Sequence, residues 1–276
     1  MSDNGKMSGR RVLVTGSDTG IGRGVALEFA REGAAVALHY PHDETGARAA
    51  VDEIRRAGGK AQAFQADFND VAQVRALAAQ AIAFLGGLDV LVNNAGITMN
   101  MPFERVTVEQ FDTLYHVNIR GMFFVTQAAV PTMIAQGQGV VINLASAHAF
   151  AGMTEHTVYA GTKGAIVAFT RVLALEMAPK GVRVNAIAPG WILVENHLKA
   201  MQEFDEATTA RTIPAGFIGK PADVGRLAIF LASDDARYFV GQTLTFDGGQ
   251  GAIMPLTGDF REPRKEQWGR GYVPGI

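Results

Sequence analysis

Short runs of β-branched and aliphatic residues recur along most of the chain, each followed by a longer stretch in which apolar residues return every three or four positions. The runs are RVLVTG (11–16), AVALHY (35–40), AQAFQAD (61–67), LDVLVNNAG (88–96), GVVINLAS (139–146), VRVNAIAPG (182–190) and QTLTFDGG (242–249). Their nearly continuous apolar character is that of strands covered on both faces, the habit of parallel sheets. Between them, VALEFAREG ending at Gly33 and VAQVRALAAQAIAF over 71–84 keep the helical period. Strict alternation of strand and helix predicts an α/β fold: a doubly wound, parallel, seven-stranded sheet with helices on both faces. Ligands then gather beyond the carboxyl ends of the strands.

Two segments break the alternation. Residues 191–220 mix Trp191, Asn196, His197, Met201 and Phe204 with charges and Pro214, which predicts a helical flap over a substrate. Residues 250–276 are rich in Gly, Pro and Arg yet carry Met254, Leu256, Trp268, Tyr272 and Val273, more apolar side chains than a free tail needs; docking on a neighbouring subunit is expected. No internal repeat is visible, and 276 residues suit one domain with its core over 9–249.

Composition narrows the chemistry. With 48% apolar residues and a formal net charge of −2, neither disorder nor a nucleic-acid surface is suggested, and a small-molecule partner is expected. The absence of cysteine excludes disulfides, thiolate catalysis and Cys-ligated zinc, and no metal site is expected. The opening MSDNGKMSGR has no apolar signal core, and no uninterrupted apolar run has bilayer length, so the expectation is a cytoplasmic protein away from membranes.

At the end of the first run stands TGSDTGIG, 15–22. Glycines at 16, 20 and 22 permit a tight turn and close approach of backbone to a pyrophosphate, while the helix that follows directs free amides toward that anion. Gly16, Asp18, Thr19, Gly20, Ile21 and Gly22 are therefore candidate dinucleotide contacts. Choice between NAD and NADP is made near the end of the second strand, where an acid holds a ribose hydroxyl and a cation a 2′-phosphate. Tyr40 occupies that spot, His39 and His42 are at most weak cations, and Asp18 would repel an adjacent phosphate; the balance tips toward NAD, with NADP open. Farther along, Tyr159 and Lys163 in VYAGTKGAIVAF share one helical face, one turn apart.

These pieces occur in order: TGSDTGIG, NNAG (93–96), Asn118 in HVNIRG, Ser146 in NLASAH, YAGTK and APG (188–190). Thirteen residues separate Ser146 from Tyr159, and four separate Tyr159 from Lys163. In this the chain resembles the short-chain dehydrogenases/reductases of the compact, single-domain, Rossmann-like kind, over roughly residues 9–249. The resemblance implies that Tyr159 is the acid/base toward an alcohol or carbonyl oxygen, that Lys163 favours its ionised form and binds the nicotinamide ribose, that Ser146 holds the substrate oxygen, and that Asn118 helps hold a relay water. It also implies cofactor contacts from Asn94, Ala95 and Gly96 along the adenosine side, Asp67 and Phe68 near the adenine, and Pro189, Gly190 and Ile192 near the nicotinamide. The family often has Thr where this chain has Val194, which leaves backbone near Ile192 to meet the carboxamide.

Within the family the nearest resemblance is to bacterial glucose 1-dehydrogenases and related sugar dehydrogenases. His148 follows Ser146 by two residues as in those enzymes; Glu155, His156, Trp191, Asn196 and His197 are further candidate substrate contacts able to meet several hydroxyls. A sugar or polyol is the expected substrate, and the alternative is a 3-oxoacyl carrier-protein reductase, for which Arg105 and Arg120 are candidate basic positions. The family usually forms homotetramers through two long helices, here 108–136 and 158–177, and the last strand.

Overall fold

The computed structural model describes residues 5–201, 203–253 and 259–261, and only the backbone at 196, 197 and 200. Strands β1 (Arg11–Val14), β2 (Ala35–Tyr40), β3 (Ala61–Gln65), β4 (Val90–Asn93), β5 (Gly139–Leu144), β6 (Val182–Pro189) and β7 (Thr243–Phe246) form one sheet in the order β3-β2-β1-β4-β5-β6-β7. Every pairing is parallel; Leu13 of β1 sits between Ala37 of β2 and Leu91 of β4. Strand order reverses between β1 and β4, and in such sheets this is where a crevice opens beyond the strand ends. All seven predicted strands are present. The last residues of several runs, Thr15–Gly16, Asn94–Gly96 and Ala145–Ser146, leave the sheet and supply the site instead.

Successive strand residues face opposite layers. Val12, Val14, Val140 and Ile142 join Val25 and Phe29 of α1 (Gly20–Arg31), Ile54 of α2 (Thr45–Arg56) and Val224 and Ile229 of α9 (Pro221–Ala232) in one core. Leu13 and Val141 join Leu77 of α3 (Val71–Leu85), Val125 and Met133 of α5 (Met122–Ala135) and Ala174 of α6 (Thr157–Met177) in the other. Full burial of such a Val, Leu or Ile contributes about 1.5–3 kcal/mol, which explains why the sheet's centre reads as unbroken apolar sequence. By length and composition α6 is the one helix among the described residues apolar enough to cross a bilayer, yet it packs along β6 and carries a buried lysine.

The long helix predicted over 108–136 is interrupted. Helix α4 (Val108–Tyr115), opened by a capping box between Thr107 and Gln110, passes through one π-helical stretch, His116–Gly121, before α5 begins. A Cβ on Gly121 would lie 2.5 Å from the Phe68 ring, so that stretch is seated tightly against the end of β3, and Asn118 is turned inward and buried. Hydrophobic period alone does not reveal such a widened turn.

Beneath the sheet, at the amino ends of its strands, Arg11 grips Asp89 through Nε (2.8 Å) and Nη2 (2.7 Å) and donates from Nη1 to the Gly86 carbonyl. Gln136 closes the knot, accepting from Arg11 Nη2 and bonding both main-chain groups of Leu88. At the opposite rim, the segment 191–220, expected to be a flap, carries α7 (Glu195–Ala200) and α8 (Glu206–Arg211), with Ile192 bridging Gly219 at its base. Of the tail residues named above, Met254, Leu256, Trp268, Tyr272 and Val273 lie outside the described residues.

Candidate active site

The glycine loop leaves β1 through Gly16, whose φ of +58° is readily adopted only by glycine and whose Cβ would meet Ala95 Cα at 2.8 Å. Gly22 folds back on it so closely that a Cβ would strike the Gly16 carbonyl. Asn94 ties the turn together, donating from Nδ2 to the carbonyls of Thr15 (3.0 Å) and Gly16 (2.7 Å). The main-chain N–H groups of Asn94 and Ala95 both donate to Thr15 Oγ1. Helix α1 starts at Gly20 without a side-chain cap on its amides, so its first turn presents free donors and a positive end. One of those donors, Gly20 N–H, is met at 3.2 Å by the Glu195 carboxylate from the flap. An anion thus already sits where the fold offers room and donors for a pyrophosphate, and the cradle fits a dinucleotide.

Around the loop, the other predicted cofactor positions divide. His39 is buried, with Nδ1 accepting from Gly16 N–H at 2.8 Å and Nε2 at 2.9 Å from the Ala66 carbonyl. Burial pushes its imidazole down to about 4, which removes it as the weak cation considered for a 2′-phosphate. Tyr40 lies half-buried beside it at the strand end. Asp67 is held by Asn69 at the rim, whereas the Phe68 ring is buried and stacked on His39 at 4.6 Å, committed to the interior. Asp18 is raised above the ordinary carboxylate range by burial and by the nearby charge of Asp43. A Cβ on Gly190 would approach Asp247 Cβ to 2.6 Å, and Ile192 is buried just after Pro189 ends β6. Val194 packs against Gly20.

Ser146, Tyr159, Lys163 and Asn118 come together across the mouths of β4 and β5. Ser146 follows β5; its hydroxyl accepts from His148 N–H at 3.2 Å and stands near enough to the Tyr159 phenol to favour its ionised form. Tyr159 opens α6 with its pKa raised by burial and pulled back by that serine, so in the protein alone it is a phenol holding its proton. One turn later Lys163 reaches back, Nζ donating to the Leu144 carbonyl at 2.8 Å and lying 5.5 Å from the centre of the Tyr159 ring. It is 5% exposed, and burial brings its pKa from 10.5 down to about 8. A Cβ on Gly96 would lie 3.7 Å from Lys163 Nζ and 3.2 Å from Asn118 Oδ1, which puts both groups at the NNAG turn. Asn118 accepts from Ile97 N–H at 2.8 Å and donates to the Ile97 carbonyl and Thr162 Oγ1. Both its donors are thereby used in fixing the loop after β4.

The loops expected to meet substrate carry aromatic and polar side chains. His148 lies 5.0 Å from His156 and 5.4 Å from Tyr159 between ring centres, and its buried Nδ1 has no partner among the described residues. Burial and His156 both lower the His148 pKa, so it is a neutral imidazole at ordinary pH. His156 is steadied by a bond between Nδ1 and the Thr154 carbonyl. Glu155 adopts φ +65°, a left-handed conformation uncommon for a side-chain-bearing residue; its carbonyl accepts from Met101 and its carboxylate from Asn100, joining the loops after β4 and β5. Trp191 stacks on Phe204 at 6.0 Å and lines a cavity of about 180 Å³ with Ile213, Phe217 and Phe246. The side chains of Asn196 and His197 lie outside the description. Sequence reading missed two contacts here, the grip of His39 on Gly16 and Glu195 at Gly20; both join segments distant in the chain, so no local pattern signals them.

Residues 16–250 match the sequence model of a family described as enoyl-(acyl carrier protein) reductase. The chain is 41% identical over 245 residues to 3β-hydroxysteroid dehydrogenase 1 of Eggerthella lenta, covering 88% of this chain and 94% of that one. It is 37% identical over 240 residues to a 3-oxoacyl acyl-carrier-protein reductase of Staphylococcus aureus, covering 87% and 97%. Among solved structures, a candidate NAD(P)-dependent gluconate 5-dehydrogenase from Beutenbergia cavernae, with bound NADP, superposes with a TM-score of 0.82 at 38% identity, covering 90% of this chain and all of that one. With the switch-point cradle and the ordered motifs, these likenesses make the chain a member of the short-chain dehydrogenase/reductase family, oxidoreductases of CH–OH groups.

Proposed function

We propose that the protein interconverts a hydroxyl and a carbonyl on a sugar or polyol. The observation that carries the substrate assignment is the neutral His148 beside Tyr159, its buried Nδ1 without a partner among the described residues and the His156 ring centre 5.0 Å away. A neutral imidazole offers one donor and one acceptor, suited to substrate hydroxyls rather than to a charged group. Glu155, Trp191, Asn196 and His197 complete the proposed mouth.

The dinucleotide, when bound on Gly16–Gly22, Asn94–Gly96, Asp67 and the Pro189–Ile192 segment, supplies or accepts the hydride. Tyr159 moves the proton: as a phenol it protonates a carbonyl oxygen, and as a phenolate it takes a proton from an alcohol. Ser146 holds that oxygen within reach of the phenol. Lys163 offers its ammonium to a ribose hydroxyl and, when charged, favours the phenolate. Asn118 braces the loop around Lys163, and its main-chain carbonyl, in the π-helical stretch, is the group we assign to a relay water. Asp18, with Asp43 close by, supports NAD over NADP, because a 2′-phosphate would face two acids. Exposed Phe111, Phe123, Val172 and Leu175 on α4, α5 and α6 support the homotetramer.

Incubation with NAD or NADP and a panel of aldoses, polyols, sugar acids and hydroxysteroids, followed by nicotinamide absorbance, tests the assignment. Oxidation of sugars or polyols is expected; turnover confined to acetoacetyl thioesters would instead favour the carrier-protein ketoreductase, and turnover confined to hydroxysteroids would reject the hydroxyl-binding role of the imidazoles.

A further inference from the structure

His39 is bonded to the glycine loop through both side chain and backbone. Its Nδ1 accepts from Gly16 N–H at 2.8 Å, its own N–H donates to Ser17 Oγ at 2.9 Å, and its carbonyl accepts from Ser17 N–H at 2.8 Å. On its other side Nε2 meets the Ala66 carbonyl at 2.9 Å, and the ring stacks on Phe68. The first contact requires a lone pair on Nδ1, which fixes the neutral tautomer with its proton on Nε2, donated to Ala66. The His39 side chain is buried, at 1% exposure. The Gly16 N–H is aimed at this buried ring, and a main-chain donor left unmet against it is costly.

We propose that His39 is a positioning residue for the dinucleotide: by accepting the Gly16 N–H while anchored to Ala66 and Phe68, it sets the angle at which the glycine loop leaves β1 and couples that loop to the wall at the end of β3. The inference rests on the reading of Gly16–Gly22 as the dinucleotide cradle. Retention of the neutral form at working pH follows from the depressed imidazole pKa, about 4.

The test compares His39→Leu, His39→Asn and His39→Gln with the unaltered protein, using NADH and NADPH binding by fluorescence and thermal unfolding without ligand. Asparagine can place Oδ1 where Nδ1 stands and keep the Gly16 contact; glutamine reaches instead to Ala66 and leaves Gly16 unmet. Leucine and glutamine should weaken dinucleotide binding about tenfold, and asparagine should restore it to within about twofold of the unaltered protein. Exchange of the Gly16 amide with deuterium should quicken in the leucine and glutamine variants alone. Equal binding by all variants overturns the proposal, as does equal weakening in asparagine and glutamine. Should the leucine variant not fold, the asparagine–glutamine comparison decides by the same criterion. Failure of the unaltered protein to bind either dinucleotide would instead defeat the cradle assignment.

Discussion

Replacing Lys163 by Met should erase a pH dependence of stability that this one buried amine creates. In the folded chain its pKa is about 8, below the ordinary 10.5, so between those values the unfolded chain binds more protons and stability rises with pH. Below about pH 8 the full cost of keeping the cation buried applies, about 3 kcal/mol at 1.4 kcal/mol per pH unit. Between pH 7 and pH 10, therefore, about 2 to 3 kcal/mol of that cost is relieved in the unaltered protein and none in the Met variant. Loss of the Nζ bond leaves the Leu144 carbonyl without that donor and costs about 1–3 kcal/mol at either pH, so the absolute change at pH 7 is small and the difference between the two pH values is the clean quantity. Urea unfolding followed by circular dichroism, for both proteins at both pH values, measures it. Turnover should fall by about 100-fold or more, since the cation near the phenol is gone. Parallel pH dependence in the two proteins would refute the reasoning, because no other group differs between them.

Three further changes probe the neighbourhood. Tyr159→Phe should lower kcat by about 10² to 10⁴ while leaving the dinucleotide dissociation constant unchanged; undiminished turnover removes the phenol from the mechanism. Glu195→Gln withdraws the charge competing for Gly20 N–H at the positive end of α1, and should tighten dinucleotide binding about two- to fivefold; calorimetry showing equal or weaker binding would mean that this carboxylate does not compete. Asp18→Asn should improve the NADP-to-NAD ratio of kcat/KM about fivefold, by an effect of about 1 kcal/mol, and an unchanged ratio would place the acid outside the phosphate's reach.

Much of this was readable in advance because the physics was local. β1, β4 and β5 declare themselves as nearly continuous apolar runs since both faces are covered, and the glycine at 22 is demanded by the Gly16 carbonyl six residues before it. Less legible was whatever depended on distant chain. AVALHY reads as a strand, yet only the pairing of β2 beside β1 reveals that His39 points under the glycine loop and cannot be a surface cation. The sequence does not show that the Phe68 ring is wedged in the core between His39 and Gly121. Similarly, the widened turn at 116–121 follows from Phe68 and Ile97 meeting it from other layers, which no periodicity along 108–136 encodes.

Because all seven strands run the same way, the two ends of the sheet carry different duties. The knot of Arg11, Asp89 and Gln136 lies at the end remote from Tyr159 and holds only the scaffold. Durability and selectivity are therefore lodged in separate parts of one polypeptide: drift at the lower end alters how long the molecule survives, and drift in the upper loops alters what it recognises.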